Sequence, residues 1–198
     1  REMHHRVRRS FNEVVGFLTR EEAYAEGQDV SHAFDALRER IQAMALVHSI
    51  LYKTGRESEV EMGLYLTELR EAMLQAHGSA EQIAIEFAAP GIILKDKQAT
   101  SCGLIITELV SNSLLHAFPR EVSLQRKGQI SVSLSSHARV LQLEVSDNGT
   151  GMPRTSEELK EGMGLSLVRS LISDDLKGTM RVTSDESGTR YTIEFPHT

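Results

Sequence analysis

Cysteine occurs once in this 198-residue chain, as Cys102, so no intrachain disulfide can form, and a lone thiol suits a reducing cytoplasm. No apolar run approaches the roughly 20 residues of a membrane span and no signal-peptide pattern opens the sequence, so any membrane anchor lies outside it. Excess positive charge is missing as well. A net charge of −6 argues against a general nucleic-acid binder, and Arg6, Arg8 and Arg9 near the start suit a local partner or solvent. There is no internal repeat and no low-complexity tract. What is present, 40% hydrophobic and 25% charged residues, suffices to bury a core and to divide into a small helical part and a larger α/β part.

The pattern changes near residues 54–59. Before that point Val7, Phe11, Val14 and Leu18 recur at helical steps, and after the polar turn Glu26-Gly27-Gln28-Asp29 a second stripe runs Phe34, Leu37, Ile41, Met44, His48, Leu51. The second stripe alternates threes and fours like a coiled-coil seam. Two such helices form an antiparallel hairpin with too little buried surface of its own, which should pair with another hairpin or with the following domain; a dimeric four-helix bundle is the expectation. After the boundary the spacing predicts a helix over Gly63–His77, a strand over Gln82–Phe87 and a helix over Gln98–Phe118. Strands at Gln129–Ser135 and Val140–Ser146, a helix from Leu165 to about Leu176, and closing strands at Thr179–Thr183 and Thr189–Phe195 complete an α/β sandwich with helices on one sheet face.

Within that sandwich two glycine-bearing stretches, Asp147-Asn148-Gly149-Thr150-Gly151-Met152-Pro153 and Gly162-Met163-Gly164-Leu165, follow the helical Glu108-Leu109-Val110-Ser111-Asn112 in one order. A phosphate chain needs backbone N–H donors at close range, which glycines permit. Asp147 supplies an acceptor suited to an exocyclic amine such as that of adenine, and Asn112 a hard carbonyl oxygen suited to Mg²⁺. Glu108 stands one helical turn before Asn112, so both can face one pocket. The adjacent histidines near the start differ in geometry. At ~100° per residue His4 falls roughly 50° from the centre of the first stripe and His5 roughly 150° away, so His5 is the exposed one, as attack on a γ-phosphate requires. His4 and His48 read as structural.

The three motifs in this order resemble the GHKL ATPases, which include histidine kinases, ATP-driven chaperones, MutL-type repair proteins and anti-sigma serine kinases. Glu2-Met3-His4-His5-Arg6-Val7-Arg8-Arg9 is similar to the H-H-R-V-K-N start of sensor histidine kinases of the HWE-related second class. Arg40 to Tyr52 resembles that class's second dimerisation helix, and Thr107 to Pro119 its Asn-bearing box. The resemblance implies an α+β chain: a hairpin over residues 1–56 for dimerisation and histidine phosphotransfer, then a GHKL-type ATPase domain over residues 57–198. It implies a sensor histidine kinase core of a two-component system that takes the γ-phosphoryl of Mg²⁺-ATP onto His5 and passes it to an aspartate on a response-regulator receiver domain.

By the same resemblance Asn112 holds Mg²⁺ and phosphate, Asp147 takes the adenine amine, and Gly149 and Gly151 shape the turn beneath the nucleotide. Gly162 and Gly164 open the helix from Leu165, whose N-terminal amides favour phosphate, and Thr189 reaches adenine through water. Glu108 orients a metal-bound water or takes the imidazole proton, and residues 153–161 form a polar nucleotide lid. The class implies a homodimer with no nucleic acid and no membrane contact by this segment. Two departures belong to this chain: Arg9 stands where the pattern has Asn, and Leu115 where a Lys or Arg often follows the box asparagine. A cation there would hold phosphate, so its loss weakens binding or slows transfer. The alternative is a degenerate member acting mainly as response-regulator phosphatase or docking scaffold.

Overall fold

The computed structural model of the chain describes residues 30–54, 58–76, 83–119, 127–137, 139–152 and 163–197. His4, His5, Arg9, Gly162 and the expected lid lie outside them. The elements run α1 (Val30–Thr54), β1 (Glu59–Glu61), α2 (Met62–Ala76), β2 (Ile83–Ala88), β3 (Ile93–Lys95), α3 (Asp96–His116), β4 (Gly128–His137), β5 (Val140–Asp147), α4 (Met163–Ser170) with a π-helical continuation Leu171–Leu176, β6 (Thr179–Asp185) and β7 (Gly188–Pro196).

Five strands form one sheet in the order β2-β4-β5-β7-β6, with β2 parallel to β4 and the other pairs antiparallel. Period-two alternation makes the sheet two-faced. Ile130, Val132 and Leu134 of β4, Leu141, Leu143 and Val145 of β5, and Tyr191, Ile193 and Phe195 of β7 are buried beneath α3 and α4. Ser131, Ser146 and Arg190, paired across the strands, face the other way. Each expected strand and helix of this part is present within a few residues of its predicted span. The antiparallel ribbon of β1 and β3 was not predicted, because three residues are too short to show alternation. Glu61, at the end of β1, starts α2 by accepting the amides of Gly63 at 2.9 Å and Leu64 at 2.7 Å.

The stripe on α1 divides. Leu37, Met44 and Leu51 are buried with Ala43, Val47 and Ile50 in the same core as α2 and α3, whereas Phe34 is 63% exposed and Ile41 36% exposed. Residues spaced 3 then 4 lie on two adjacent lines of a helix, and the ATPase-like part covers only one of them. His48, on the outward line, is half-buried. Tyr65 of α2 ties the helices together: fully buried, it donates to the Ala43 carbonyl of α1 at 3.1 Å and lies against Gly103 of α3, where a Cβ would overlap its ring.

Candidate functional site

Helix α3 is buried along most of its length, from Gln98 to Val110, and its C-terminal turns point toward the ends of β5 and β7. Ala117 closes it with a backbone bond to Ser113, and the turn after β5 is fastened to that end by Thr150, whose amide donates to the Ala117 carbonyl at 3.0 Å. Gly149 packs so closely on Ala117 that any Cβ would strike its carbonyl. Gly151 adopts φ 75°, a conformation that favours glycine, and also lies against the Asp185 carbonyl. Both glycines therefore shape this turn, one by close approach and the other by dihedral angle.

Asp147 closes β5 opposite Thr189 of β7. Its Oδ2 accepts the Ser113 hydroxyl at 2.8 Å, and its Oδ1 accepts the amides of Gly149 at 2.9 Å and Thr189 at 3.3 Å. A carboxylate offers about four acceptor directions, so three neutral donors fix its orientation and leave room for one more. Thr189 is buried, with its hydroxyl 3.0 Å from that of Ser184. Burial, and next the charge of Asp147, raise the Tyr191 hydroxyl above its usual range, so it stays protonated and donates to Met152 Sδ at 3.7 Å.

The other end is built around Gly164. A Cβ there would collide with Glu108 Oε2 and come within 3.9 Å of Asn112 Nδ2, so the two α3 side chains converge where α4 begins. Leu165 beside it is half-buried against the core. Glu108 is itself buried and held by Arg40 of α1, whose Nε donates to Oε1 and whose Nη2 donates to Oε2 at 3.0 Å. One position earlier, Glu39 accepts the hydroxyl of Ser111. Leu115, by contrast, is 60% exposed.

The structure thus gathers Glu108, Asn112 and Gly164 at one end and Asp147, Gly149, Gly151 and Thr189 at the other. Sequence reasoning missed Arg40, Glu39 and Ser113. The signal for Arg40 was present: it stands three residues after Leu37 and four before Met44, a charge in the phase of the buried face. It also missed a polar cleft of about 440 Å³ across the sheet from the helices, lined by Ser131, Ser146, Thr183 and Arg190 among others. Asp147 and Thr189 also line that cleft, whereas neither Glu108 nor Asn112 does.

The mixed sheet under α3 and α4, with a turn bearing Asp147 at one end and Asn112 at the other, defines a GHKL-type ATPase sandwich preceded by a helical region. The chain belongs to the histidine kinase family: residues 2–77 match its second HisKA class, and residues 97–198 match the histidine kinase-, DNA gyrase B- and HSP90-like ATPases. It is 29% identical over 201 residues to the sensor histidine kinase PdtaS of Mycobacterium tuberculosis, covering 99% of this chain and 39% of that protein. It is 27% identical over 200 residues to blue-light-activated histidine kinase 2 of Erythrobacter litoralis, covering 98% of this chain and 56% of that one. The chain therefore spans about two-fifths to just over half the length of these relatives. The histidine kinase domain of the Erythrobacter litoralis EL346 kinase superposes with a TM-score of 0.71 at 25% identity, over 84% of this chain and 82% of that domain. Among the described residues no helix is long and apolar enough to cross a membrane.

Proposed function

We propose that this chain is the catalytic core of a two-component sensor kinase: it binds Mg²⁺-ATP, transfers the γ-phosphoryl to His5, and passes it to an aspartate on a response-regulator receiver domain. The observation that carries the nucleotide site is the convergence of Glu108 and Asn112 on Gly164, with Asp147 oriented by neutral donors at the other end. Adenine's amine donates to the remaining acceptor direction of Asp147, and the phosphates lie toward Gly164 and the first amides of α4. Asn112 carries a hard amide oxygen suited to Mg²⁺, and Glu108, converging with it on Gly164, suits a water on that ion. When bound, that ion neutralises charge on the phosphates.

Glu108 accepts from a guanidinium fork, so its remaining acceptor directions suit orienting a metal-bound water better than taking a proton from imidazole. The functional division is the hairpin of residues 1–56, which carries His5, and the ATPase domain of residues 57–198. The outward line of Phe34 and Ile41 supports a homodimer through the hairpin. Incubation with labelled ATP should give acid-labile, base-stable label that His5→Ala abolishes with its thermal midpoint nearly unchanged, and that His4→Ala retains in part. Label mapped to His4 by mass spectrometry, or no label at all, would sink this reading.

A further inference from the structure

Glu108 is the single charge in a run of α3 that is otherwise Leu104, Ile105, Ile106, Thr107, Leu109 and Val110, all of it buried. The group that meets it comes from α1, 68 positions earlier, in the part of the chain that the proposed function assigns to the phosphotransfer hairpin. Side-chain exposure is 3% for Arg40 and 8% for Glu108, so water does not compete for the pair. A planar guanidinium bonding both oxygens fixes where the carboxylate stands and how it is turned, which a single-point ammonium does not. Turned this way, Oε2 lies against Gly164 beside Asn112. The next bond along, Glu39 to Ser111, reaches the residue adjacent to Asn112, and Tyr65 holds the Ala43 carbonyl one turn further on. Glu39 and Arg40 of α1 therefore grip α3 at the level of the phosphate end, and Ala43, one turn on, is held by Tyr65 where α2 meets Gly103 of α3.

We propose that Arg40 is a positioning residue for phosphoryl transfer: it holds Glu108 in its working orientation, so the phosphate end of the site is complete only while α1 is docked on α3. Hairpin position and catalytic competence are then coupled through one ion pair. This rests on the reading of Glu108 and His5 given above. The adenine end lies on β5 and β7 and does not depend on the pair, so the proposal separates binding from transfer.

The test uses the full 198-residue chain with Arg40→Lys, which keeps the charge but loses the fork, and Arg40→Met, which keeps the aliphatic stem. Three quantities are measured: Mg²⁺-ATP affinity by calorimetry, the saturated rate of autophosphorylation, and amide hydrogen exchange. Arg40→Lys should bind nucleotide within about threefold of wild type, while its saturated rate falls about 100-fold, the loss expected when a catalytic group is displaced by about an ångström. Exchange should quicken over residues 30–54 and stay slow around Asp147. Arg40→Met should be at least as slow in transfer; if it does not fold, Arg40→Lys decides alone. An Arg40→Lys chain that transfers at the wild-type rate overturns the positioning role, and unchanged exchange over residues 30–54 overturns the docking role. A wild-type chain that takes no label at all overturns the kinase reading itself, and the role of Arg40 in it.

Discussion

Two carboxylates frame the candidate site, and they are held in different ways. Asp147 is half-buried and receives neutral donors close at hand: the Ser113 hydroxyl and the amides of Gly149 and Thr189. Glu108 is buried more deeply and, among the described residues, receives one charged donor, from a helix far away in sequence. The first arrangement is neutral and shared, because two donors belong to the turn and the paired strand that create the carboxylate's own position and the third to the buried helix α3 beneath them. The second is conditional. A carboxylate compensated by a guanidinium on another helix is satisfied only while the two helices stay together, and burying either charge alone is costly. The candidate site thus has one end fastened largely by strands and a turn and one that a contact between α1 and α3 completes.

The largest effect should come from breaking the charged end. Glu108→Ala leaves the Arg40 guanidinium buried without its carboxylate, and urea unfolding should show a loss of about 3–5 kcal/mol. Asp147→Asn should cost about 1 kcal/mol, since Asn Oδ1 still accepts the two amides and the Ser113 hydroxyl can turn to accept from the new NH₂. The ranking reverses for nucleotide: with an amide facing adenine's amine, Asp147→Asn should lower ATP affinity by at least about tenfold, read by calorimetry. Equal stability losses in the two variants would erase the difference between the ends.

A second measurement asks whether packing or the ion pair keeps α1 docked. Gly103→Ala drives a methyl into Tyr65 and should cost about 1–3 kcal/mol. Tyr65→Phe alone, losing one buried hydrogen bond to Ala43, should cost about 1 kcal/mol. In the double variant the two losses should be less than additive, because the hydroxyl is the first atom the new methyl meets. Strict additivity would mean that Tyr65 does not touch Gly103.

The smallest effect concerns α3 itself, the helix that joins the two ends. Burial pushes the Cys102 thiol from 9.0 up to about 12. A group whose proton is held more tightly in the folded state contributes stability that is complete below the unfolded value and is lost as pH rises through the folded one. Between pH 8 and 10 the wild-type chain should therefore lose about 1 kcal/mol that Cys102→Ala does not lose. Buried Tyr65, whose hydroxyl is also raised by burial, adds to the decline in both proteins alike. Parallel pH profiles for the two would show that the thiol is not sealed in the core.

The Asp147 end of the candidate site was legible in the sequence for a physical reason. Asp147, Gly149 and Gly151 act within one turn, where glycine's conformational freedom and the reach of a short carboxylate are properties of neighbouring residues. The alternation of Ile130, Val132 and Leu134 against Ser131 and Ser133 likewise fixed which face of β4 is buried, because side chains alternate in any strand. Sequence spacing also placed Glu108 and Asn112 on one face of α3. Two further signals went unread: Glu108 is embedded among apolar neighbours and Arg40 stands in the phase of an apolar stripe, so each needs a partner once buried. That the two are partners of each other was decided by tertiary structure alone. The split of the α1 stripe into a buried line and an outward line was decided the same way. Local pattern states what a residue must satisfy, but which distant group satisfies it depends on how the helices pack, and that follows from the whole core at once.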